Sequence, residues 1–302
     1  MNRILDIGSA PTRLRVEDGL LCVQPENGPQ VTIPLPEVAA LVVSHPQANY
    51  THAVLARLAA NGGAYVACDE KHMPVGMMLP IMGNSIQTER INAQAEAPLP
   101  LKKQTWKFII QMKLLNQAWA LELAVGHGHG LDGMVKEVRS GDPDNVEGKA
   151  ARKYWRALFR DAGFTRDRTG GGVNGWLNYG YAIVRAIIGR AICAAGLHPS
   201  LGLHHHNRYD SFCLASDLME PYRPLVDICV AGLAAQYARE RELDKALKRE
   251  ILEFLNQDFL VEKERRTLFS LAARTAQTLA EVFTNERNRI FLPRFEGLSG
   301  RS

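Results

Sequence analysis

The chain has 302 residues, 46% apolar and 23% charged, with a formal net charge of +4 at pH 7. These values are ordinary for a soluble globular protein, and the length allows two domains. No run of about 18 uncharged apolar residues occurs and the first ten residues lack the layout of a signal peptide, so we predict a cytoplasmic protein without a membrane segment.

The five cysteines are scattered and never spaced as CxxC. This pattern argues against a disulfide framework and against a thiolate zinc site. The small net charge does not by itself indicate nucleic acid, but the positive excess lies in the part of the chain that follows Ser85.

The first 80 or so residues predict β structure, because short apolar runs alternate with Gly, Pro, Asn and Asp. The runs cover residues 12–16, 20–24, 31–35, 38–43 and 64–68. One helix is predicted there, over residues 50–61. We assign residues 1–83 to an N-terminal β-rich domain and the polar segment 84–100, rich in Ala, Gln and Pro, to a linker.

The remainder, residues 101–302, predicts an α-helical domain, which makes the fold class α+β. Apolar residues recur at helical spacing in four segments, residues 102–123, 174–195, 212–235 and 243–283. Gly196 followed by Pro199 predicts the end of the second of these helices.

A fifth helix is predicted after Asp144 and Asn145, either of which can cap its N-terminus. On this helix Glu147 shares a face with Ala150 and Tyr154. A carboxylate that points inward requires a partner or a metal ion. The alternative is a solvated Glu147 that complements the positive end of the helix dipole.

Asp217 and Glu220 are spaced i and i+3, so both carboxylates can face one point, and Pro221 predicts a kink beside them. Paired carboxylates repel each other, and a hard divalent cation such as Mg²⁺ or Mn²⁺ relieves the repulsion. An imidazole from the triplet His204, His205 and His206 is a suitable third ligand. A zinc site made from the triplet alone is the rival interpretation, although consecutive side chains diverge in direction.

Basic residues cluster after Glu147, with only two acidic residues in the same short segment. They are suited to contact DNA phosphates, or they form a solvated helix face. The cluster comprises Arg152, Lys153, Arg156, Arg160, Arg166 and Arg168.

Four motifs together resemble the CRISPR spacer-acquisition integrases, the large subunit of the CRISPR adaptation complex, most nearly those of systems with a single large effector nuclease. The motifs are EGKAARKY at residues 147–154, LNYGY at 177–181, GLHPSLGLHH at 196–205 and DLMEPYRP at 217–224. The resemblance implies an N-terminal β-sandwich that forms a homodimer and a helical catalytic domain with a divalent-metal site.

Carried over to this chain, the resemblance implies Glu147, His205 and Glu220 as catalytic metal ligands for Mg²⁺ or Mn²⁺, with Asp217 as an auxiliary ligand. His204 and His206 compete with His205 for the assignment. The implied DNA-binding residues are Arg152, Lys153, Tyr154, Arg156, Arg166, Arg168 and Arg223.

The implied reaction is transesterification, in which the 3′-OH of a captured DNA fragment is joined to a CRISPR repeat. The implied partners are DNA and a small CRISPR-associated subunit. Two alternatives remain: a non-catalytic DNA-binding scaffold with a structural metal site, and a stand-alone nuclease that acts on branched DNA. No Ser, Tyr or Cys has a partnered base in the sequence pattern, which disfavours a covalent enzyme–DNA intermediate.

Overall fold

The computed structural model describes residues 3–69, 74–80 and 84–298. Its N-terminal part is built from strands and one helix. The elements are β1 (Arg3–Ile7), β2 (Thr12–Glu17), β3 (Leu20–Pro25), β4 (Val31–Pro34), β5 (Val38–Val43), β6 (Asn49–Tyr50), α1 (His52–Ala60), β7 (Ala64–Cys68) and β8 (Pro74–Met78). All five predicted strands and the predicted helix are confirmed, and the structure adds β1, β6 and β8.

The strands form two four-stranded sheets, in the orders β1-β5-β7-β8 and β4-β3-β2-β6. In the first sheet β5 pairs in parallel with both β1 and β7, and all six of its residues are buried. Burial on both faces explains why its sequence, VAALVV, is continuously apolar instead of alternating. Leu14 and Leu21 of the second sheet share one apolar core with Leu41 of β5 and Leu58 of α1.

The predicted linker is wrong in one respect, because residues 87–96 form a helix, α2 (Gln87–Glu96). Two of its polar side chains are buried. Arg90 donates to the carbonyl of Ala195 at 2.8 Å, and Gln94 donates to the carbonyls of His198 and Leu201 at 2.9 and 2.8 Å. These long-range bonds stabilise a helix that the local sequence signals only weakly.

The rest of the chain is mainly helical. Its elements are α3 (Leu99–Val125), α4 (Leu131–Met134), α5 (Val146–Leu158), α6 (Val173–Ala194), α7 (Cys213–Leu218), α8 (Arg223–Gln236), α9 (Lys245–Leu255), β9 (Asp258–Val261), β10 (Glu264–Thr267), α10 (Leu268–Phe283) and β11 (Phe295–Leu298). The predicted kink is confirmed: α7 ends at Leu218, and the 3-10 turn Glu220–Tyr222 leads into α8.

The prediction of an all-helical second part is wrong for residues 256–267 and 295–298, which contribute a three-stranded sheet in the order β10-β9-β11. Phe259 and Val261 are buried on alternate positions of β9, so the period there is two. Glu262 and Lys263 both have positive φ, at 52° and 63°, which is the backbone of a tight hairpin turn.

The main core lies between α3, α6, α8 and α10. Trp106, Trp176, Tyr179 and Tyr222 are among its largest fully buried side chains. In the part of the chain that the structure describes, no helix combines the length and apolarity needed to cross a membrane.

Candidate active site

A cavity of about 400 Å³ opens where α3, α5 and α6 meet the kink between α7 and α8. It is lined by acidic side chains, a histidine and several arginines. Glu147, His205 and Glu220, the three predicted metal ligands, all line it. The fold therefore brings together residues that lie far apart in the sequence.

Glu147 is positioned by the N-terminal turn of α5. Of the two predicted candidates, Asn145 is the N-cap, and its side chain accepts from the backbone N–H of Gly148 at 3.0 Å. The carboxylate of Asp142 accepts from the N–H groups of Val146 and Glu147, each at 3.0 Å. With these N–H groups satisfied, the first turn is fixed and Glu147 is directed into the cavity.

Glu220 lies in the 3-10 turn, with a side chain only 6% exposed. Its Oε1 accepts from Nε of Arg223 at 2.9 Å, and its Oε2 lies 2.5 Å from Nζ of Lys113. Burial by itself raises the pKa of Glu220, but Arg223 and Lys113 outweigh it and lower the pKa to about 2. The carboxylate is therefore ionised at neutral pH.

Lys113 of α3 is the buried partner that Glu147 was expected to require. Its Nζ lies 2.5 Å from Oε1 of Glu147, in hydrogen-bond geometry. The same Nζ lies 2.5 Å from Oε2 of Glu220, where the contact is an ion pair without hydrogen-bond geometry. Burial acts to lower the pKa of Lys113, but Glu220 and Glu147 outweigh that effect and raise it. Two carboxylates from different helices thus converge on one cation.

Asp217 has no exposed surface and holds in place the segment 203–206, which carries the three histidines and is called the histidine loop below. Its Oδ2 accepts from the N–H groups of Leu203 and His204 at 2.7 and 3.0 Å, while its Oδ1 lies 2.5 Å from Nδ1 of His205. The hydrogen bond that His205 donates to Asp217 is the main cause that raises the pKa of His205. Because Nδ1 is engaged, Nε2 is the nitrogen of His205 left for a ligand.

The other two histidines have different surroundings. The ring of His204 is stacked on Trp106, with centroids 4.2 Å apart, and burial lowers its pKa. His206 is exposed. Of the three, only His205 lines the cavity.

We expect the Asp217→Asn variant to loosen the histidine loop, because an amide cannot accept all the hydrogen bonds that the carboxylate accepts. The free energy of unfolding should fall by about 1–3 kcal/mol. Mn²⁺ affinity should fall by about 10- to 100-fold, the usual effect of losing a group that orients a histidine ligand. Chemical denaturation and calorimetric titration with Mn²⁺ measure the two quantities.

The same substitution at the exposed Asp132 is the control for Asp217→Asn. Unchanged stability and unchanged Mn²⁺ affinity in Asp217→Asn would contradict the role given to Asp217.

A hard divalent ion fits the donor set of the cavity, which offers carboxylate oxygens and one imidazole. The convergence of Glu147 and Glu220 on a positive charge supports this fit. Within residues 3–69, 74–80 and 84–298, however, no three His, Cys, Asp or Glu side chains are arranged to hold one ion together. The ammonium group of Lys113 lies where the carboxylates of Glu147 and Glu220 converge.

Asp227 of α8 forms a buried polar network in the wall of the cavity. Its Oδ2 accepts from the hydroxyl of Tyr154 at 2.9 Å, and its Oδ1 accepts from the hydroxyl of Tyr181. Arg223 lies over the ring of Tyr181, 4.6 Å from the centroid, so the network also supports the arginine that pairs with Glu220. Burial raises the pKa of Asp227 to about 7, against the lowering effect of the two tyrosine hydroxyls.

We expect the Asp227→Asn variant to change how stability depends on pH. A carboxyl whose pKa is raised to about 7 in the folded state binds its proton more tightly there than in the unfolded chain. Its contribution to stability is therefore complete below the unfolded pKa and is lost as pH rises through about 7. Between pH 5 and pH 8 the wild-type protein should lose on the order of 2 kcal/mol relative to the variant.

The measurement is urea denaturation of both proteins across that pH range, with Asp258→Asn, at an exposed position, as the control. Parallel stability curves for wild type and Asp227→Asn would rule out the buried titration.

The predicted DNA-binding residues fall into two groups. Arg166, Arg168 and Arg223 line the cavity together with the acidic residues. The side chains of Arg152, Lys153 and Arg156 lie on the opposite side of α5, where they border a second, more open concavity with Lys149 and Arg160.

Tyr154 belongs to neither group, since its side chain has no exposed surface and its hydroxyl is bound to Asp227. Its position does not support the predicted contact with DNA.

Sequence reasoning missed Lys113, Asn116 and Asp227. The signal was present, because each is a polar residue that lies among the apolar, buried positions of its helix. Lys113, Asn116 and Gln117 are buried on α3 at the spacing of one helix face. A buried polar residue requires a specific partner, so such an interruption of an apolar face indicates a site.

The chain is similar to known proteins over nearly its whole length. It is 33% identical over 287 residues to the "CRISPR-associated endonuclease Cas1" of Neisseria meningitidis serogroup C (strain 8013), covering 93% of this chain and 92% of that protein. The solved structure "Casposase bound to integration product" superposes with a TM-score of 0.76 at 18% identity, over 95% of this chain and 92% of that one. The structure "Cas6-RT-Cas1--Cas2 complex" gives a TM-score of 0.74 at 18% identity, over 95% of this chain and 35% of that one.

The fold is the one shared by these two solved structures. The model of the family described as CRISPR associated protein Cas1 matches residues 5–253. The chain belongs to the Cas1 family.

Proposed function

We propose that this protein is a metal-dependent DNA integrase of CRISPR adaptation, which joins the 3′-OH end of a captured DNA fragment to a CRISPR repeat by transesterification. The observation that carries the proposal is the convergence of Glu147 and Glu220 on one positive charge. His205 lines the same cavity, as do arginines suited to phosphate. The similarity to a casposase structure with its integration product and to a Cas1 endonuclease supports it.

Glu147, His205 and Glu220 would hold Mg²⁺ or Mn²⁺. When bound, such an ion lowers the pKa of the attacking hydroxyl and offsets the negative charge that develops at phosphorus. In the proposed reaction the fragment's 3′-hydroxyl loses its proton and its oxygen forms a bond to phosphorus. The bond from that phosphorus to the 3′-oxygen at the edge of the repeat breaks, and this oxygen takes up a proton and leaves as a new 3′-OH. One phosphodiester replaces another, so neither water nor a nucleotide cofactor is consumed.

The chain's own residues orient these groups. Asp217 fixes the ring of His205, and the pair of Asn145 and Asp142 fixes the turn that carries Glu147. Arg223 holds Glu220 and has further donors for a phosphate oxygen. Arg166 and Arg168 line the cavity and add positive charge, which favours binding of the backbone without reading the bases.

We also propose that the N-terminal sheets form the β-sandwich through which the protein makes a homodimer, and that the dimer binds a small CRISPR-associated partner subunit. The shared apolar core of the two sheets supports the sandwich. The solved Cas6-RT-Cas1--Cas2 complex, which contains a chain of similar fold, supports the partner.

The test of the proposed function mixes the purified protein, with and without the partner subunit, with labelled duplex DNA that has 3′-OH ends, a repeat-containing plasmid, and Mg²⁺ or Mn²⁺. We expect the label to become covalently joined to the plasmid and the joining to stop with EDTA. A parallel reaction with 3′-dideoxy ends is the control, because it removes the attacking hydroxyl.

The other outcomes separate the alternatives. Labelled DNA that is only shortened would favour a nuclease for branched DNA. DNA that is bound but unchanged with every cation and partner would favour a non-catalytic scaffold.

A further inference from the structure

Lys113 is a largely buried residue in the wall of the cavity, where it lies between Glu147 and Glu220. Its side chain is 10% exposed, and it reaches from α3 to Glu147 on α5 and to Glu220 in the 3-10 turn. A surface lysine that merely offsets local charge would be more exposed and more weakly paired. This lysine links three separate segments of the chain through one ammonium group.

With Lys113 in place, the charges of Glu147 and Glu220 are balanced by the two cations that pair with them. Two carboxylates face two cations, because Arg223 holds the second oxygen of Glu220 at 2.9 Å. A divalent ion at the point that Glu147 and Glu220 share would meet the ammonium at very short range. Like charges at such a distance repel strongly where water screens them little, and Lys113 and Glu220 are largely buried. The two cations therefore exclude each other.

We propose that Lys113 is an internal competitor of the divalent cation: its ammonium group holds Glu147 and Glu220 together and must withdraw before both carboxylates can bind the ion. This inference rests on the proposed function, because it takes these glutamates as ligands. The four-carbon side chain of lysine is flexible, and the cavity of about 400 Å³ gives it space to move. Lys113 thus sets how tightly the site binds metal.

The competition predicts tighter metal binding when the lysine is removed. In the Lys113→Met variant Glu147 and Glu220 are left close together, and Arg223 on Glu220 is their one remaining direct ion-pair partner among the described residues. Mn²⁺ should therefore bind at least about tenfold more tightly than in wild type. The same variant should unfold at a lower temperature without Mn²⁺ and gain more stability from Mn²⁺ than wild type does. Both readouts are independent of catalysis.

The experiment titrates the full-length protein with Mn²⁺ alone, without DNA, and follows the loss of the free-ion signal by electron paramagnetic resonance. Lys113→Gln is the second variant, since its amide can still donate to the carboxylates if Lys113→Met does not fold. Lys103→Met, which removes one charge from an exposed position on the same helix, is the matched control and should bind Mn²⁺ as wild type does.

The Glu220→Gln variant, made in the wild-type background, distinguishes failure of the competition by Lys113 from failure of the metal assignment. If Glu220→Gln abolishes Mn²⁺ binding while Lys113→Met and Lys113→Gln bind no more tightly than wild type, the competition is refuted and the metal assignment stands. If Glu220→Gln leaves Mn²⁺ binding unchanged, the metal assignment and the proposed function fail with it. Tighter binding by the Lys113 variants, lost again on adding Glu220→Gln, is the expected result.

Discussion

The Glu220→Gln variant is expected to lose strand joining, by about 10²- to 10³-fold or more. The amide keeps the size of the side chain but cannot supply the anionic oxygen that faces Lys113 and the proposed metal ion. Glu220 is also the more buried of the two glutamates, with a side chain 6% exposed against 27% for Glu147. The joining of labelled DNA to a repeat-containing plasmid measures the effect.

Two controls are needed to interpret the loss of activity in Glu220→Gln. DNA binding, measured by gel shift, should remain, since Arg166 and Arg168 are untouched. Glu137→Gln, at an exposed position, should join DNA as wild type does. Full joining activity in a folded Glu220→Gln protein would exclude Glu220 from the catalytic site.

The second large effect is expected on stability, from Asn116→Ala. Asn116 has no exposed surface. Its Nδ2 donates to the carbonyls of Pro221 and Pro293 at 2.7 and 2.9 Å. Its Oδ1 accepts from the N–H of Phe295 at 3.2 Å. Alanine leaves these three buried backbone groups without that partner. Since an unsatisfied buried group costs about 1–3 kcal/mol, we expect the free energy of unfolding to fall by about 2–4 kcal/mol.

Asn116→Ala should also weaken the site, because Pro221 follows Glu220 directly and its carbonyl is anchored by Asn116. Urea denaturation measures the stability, and joining at a temperature where the variant is folded measures the site. Asn27→Ala, at an exposed position, is the control. An unchanged urea midpoint for Asn116→Ala would contradict the bridging role.

The acidic residue Glu147 and the basic residues of α5 lie on different faces of the helix. On α5, Glu147, Ala151 and Trp155 line the cavity, whereas Arg152 and Arg156 border the concavity on the other side. Spacing on a helix assigns these residues to faces, so this separation was readable from the sequence. Which face meets the other acidic residues depends on how α5 packs.

The sequence alone determined the local features. Short apolar runs between turn residues located five strands of the N-terminal part but not β1, β6 or β8. The sequence also predicted a cap at Asp144 or Asn145 and a kink at Pro221, from the backbone chemistry of those residues. The four motifs identified the family and named Glu147 and Glu220, because the residue types and their order are themselves the signal.

Only the tertiary structure decided the long-range partners. The helix α2 is stabilised by the hydrogen bond of buried Arg90 to the distant carbonyl of Ala195. Asp217 binds His205 of the histidine loop, and Lys113 lies between Glu147 and Glu220. A sequence pattern records which side chains share a face, but the partner of a buried charge depends on the packing of helices that are remote in the chain. The local sequence therefore predicted the acidic residues of the site, and packing alone revealed the cation that lies between them.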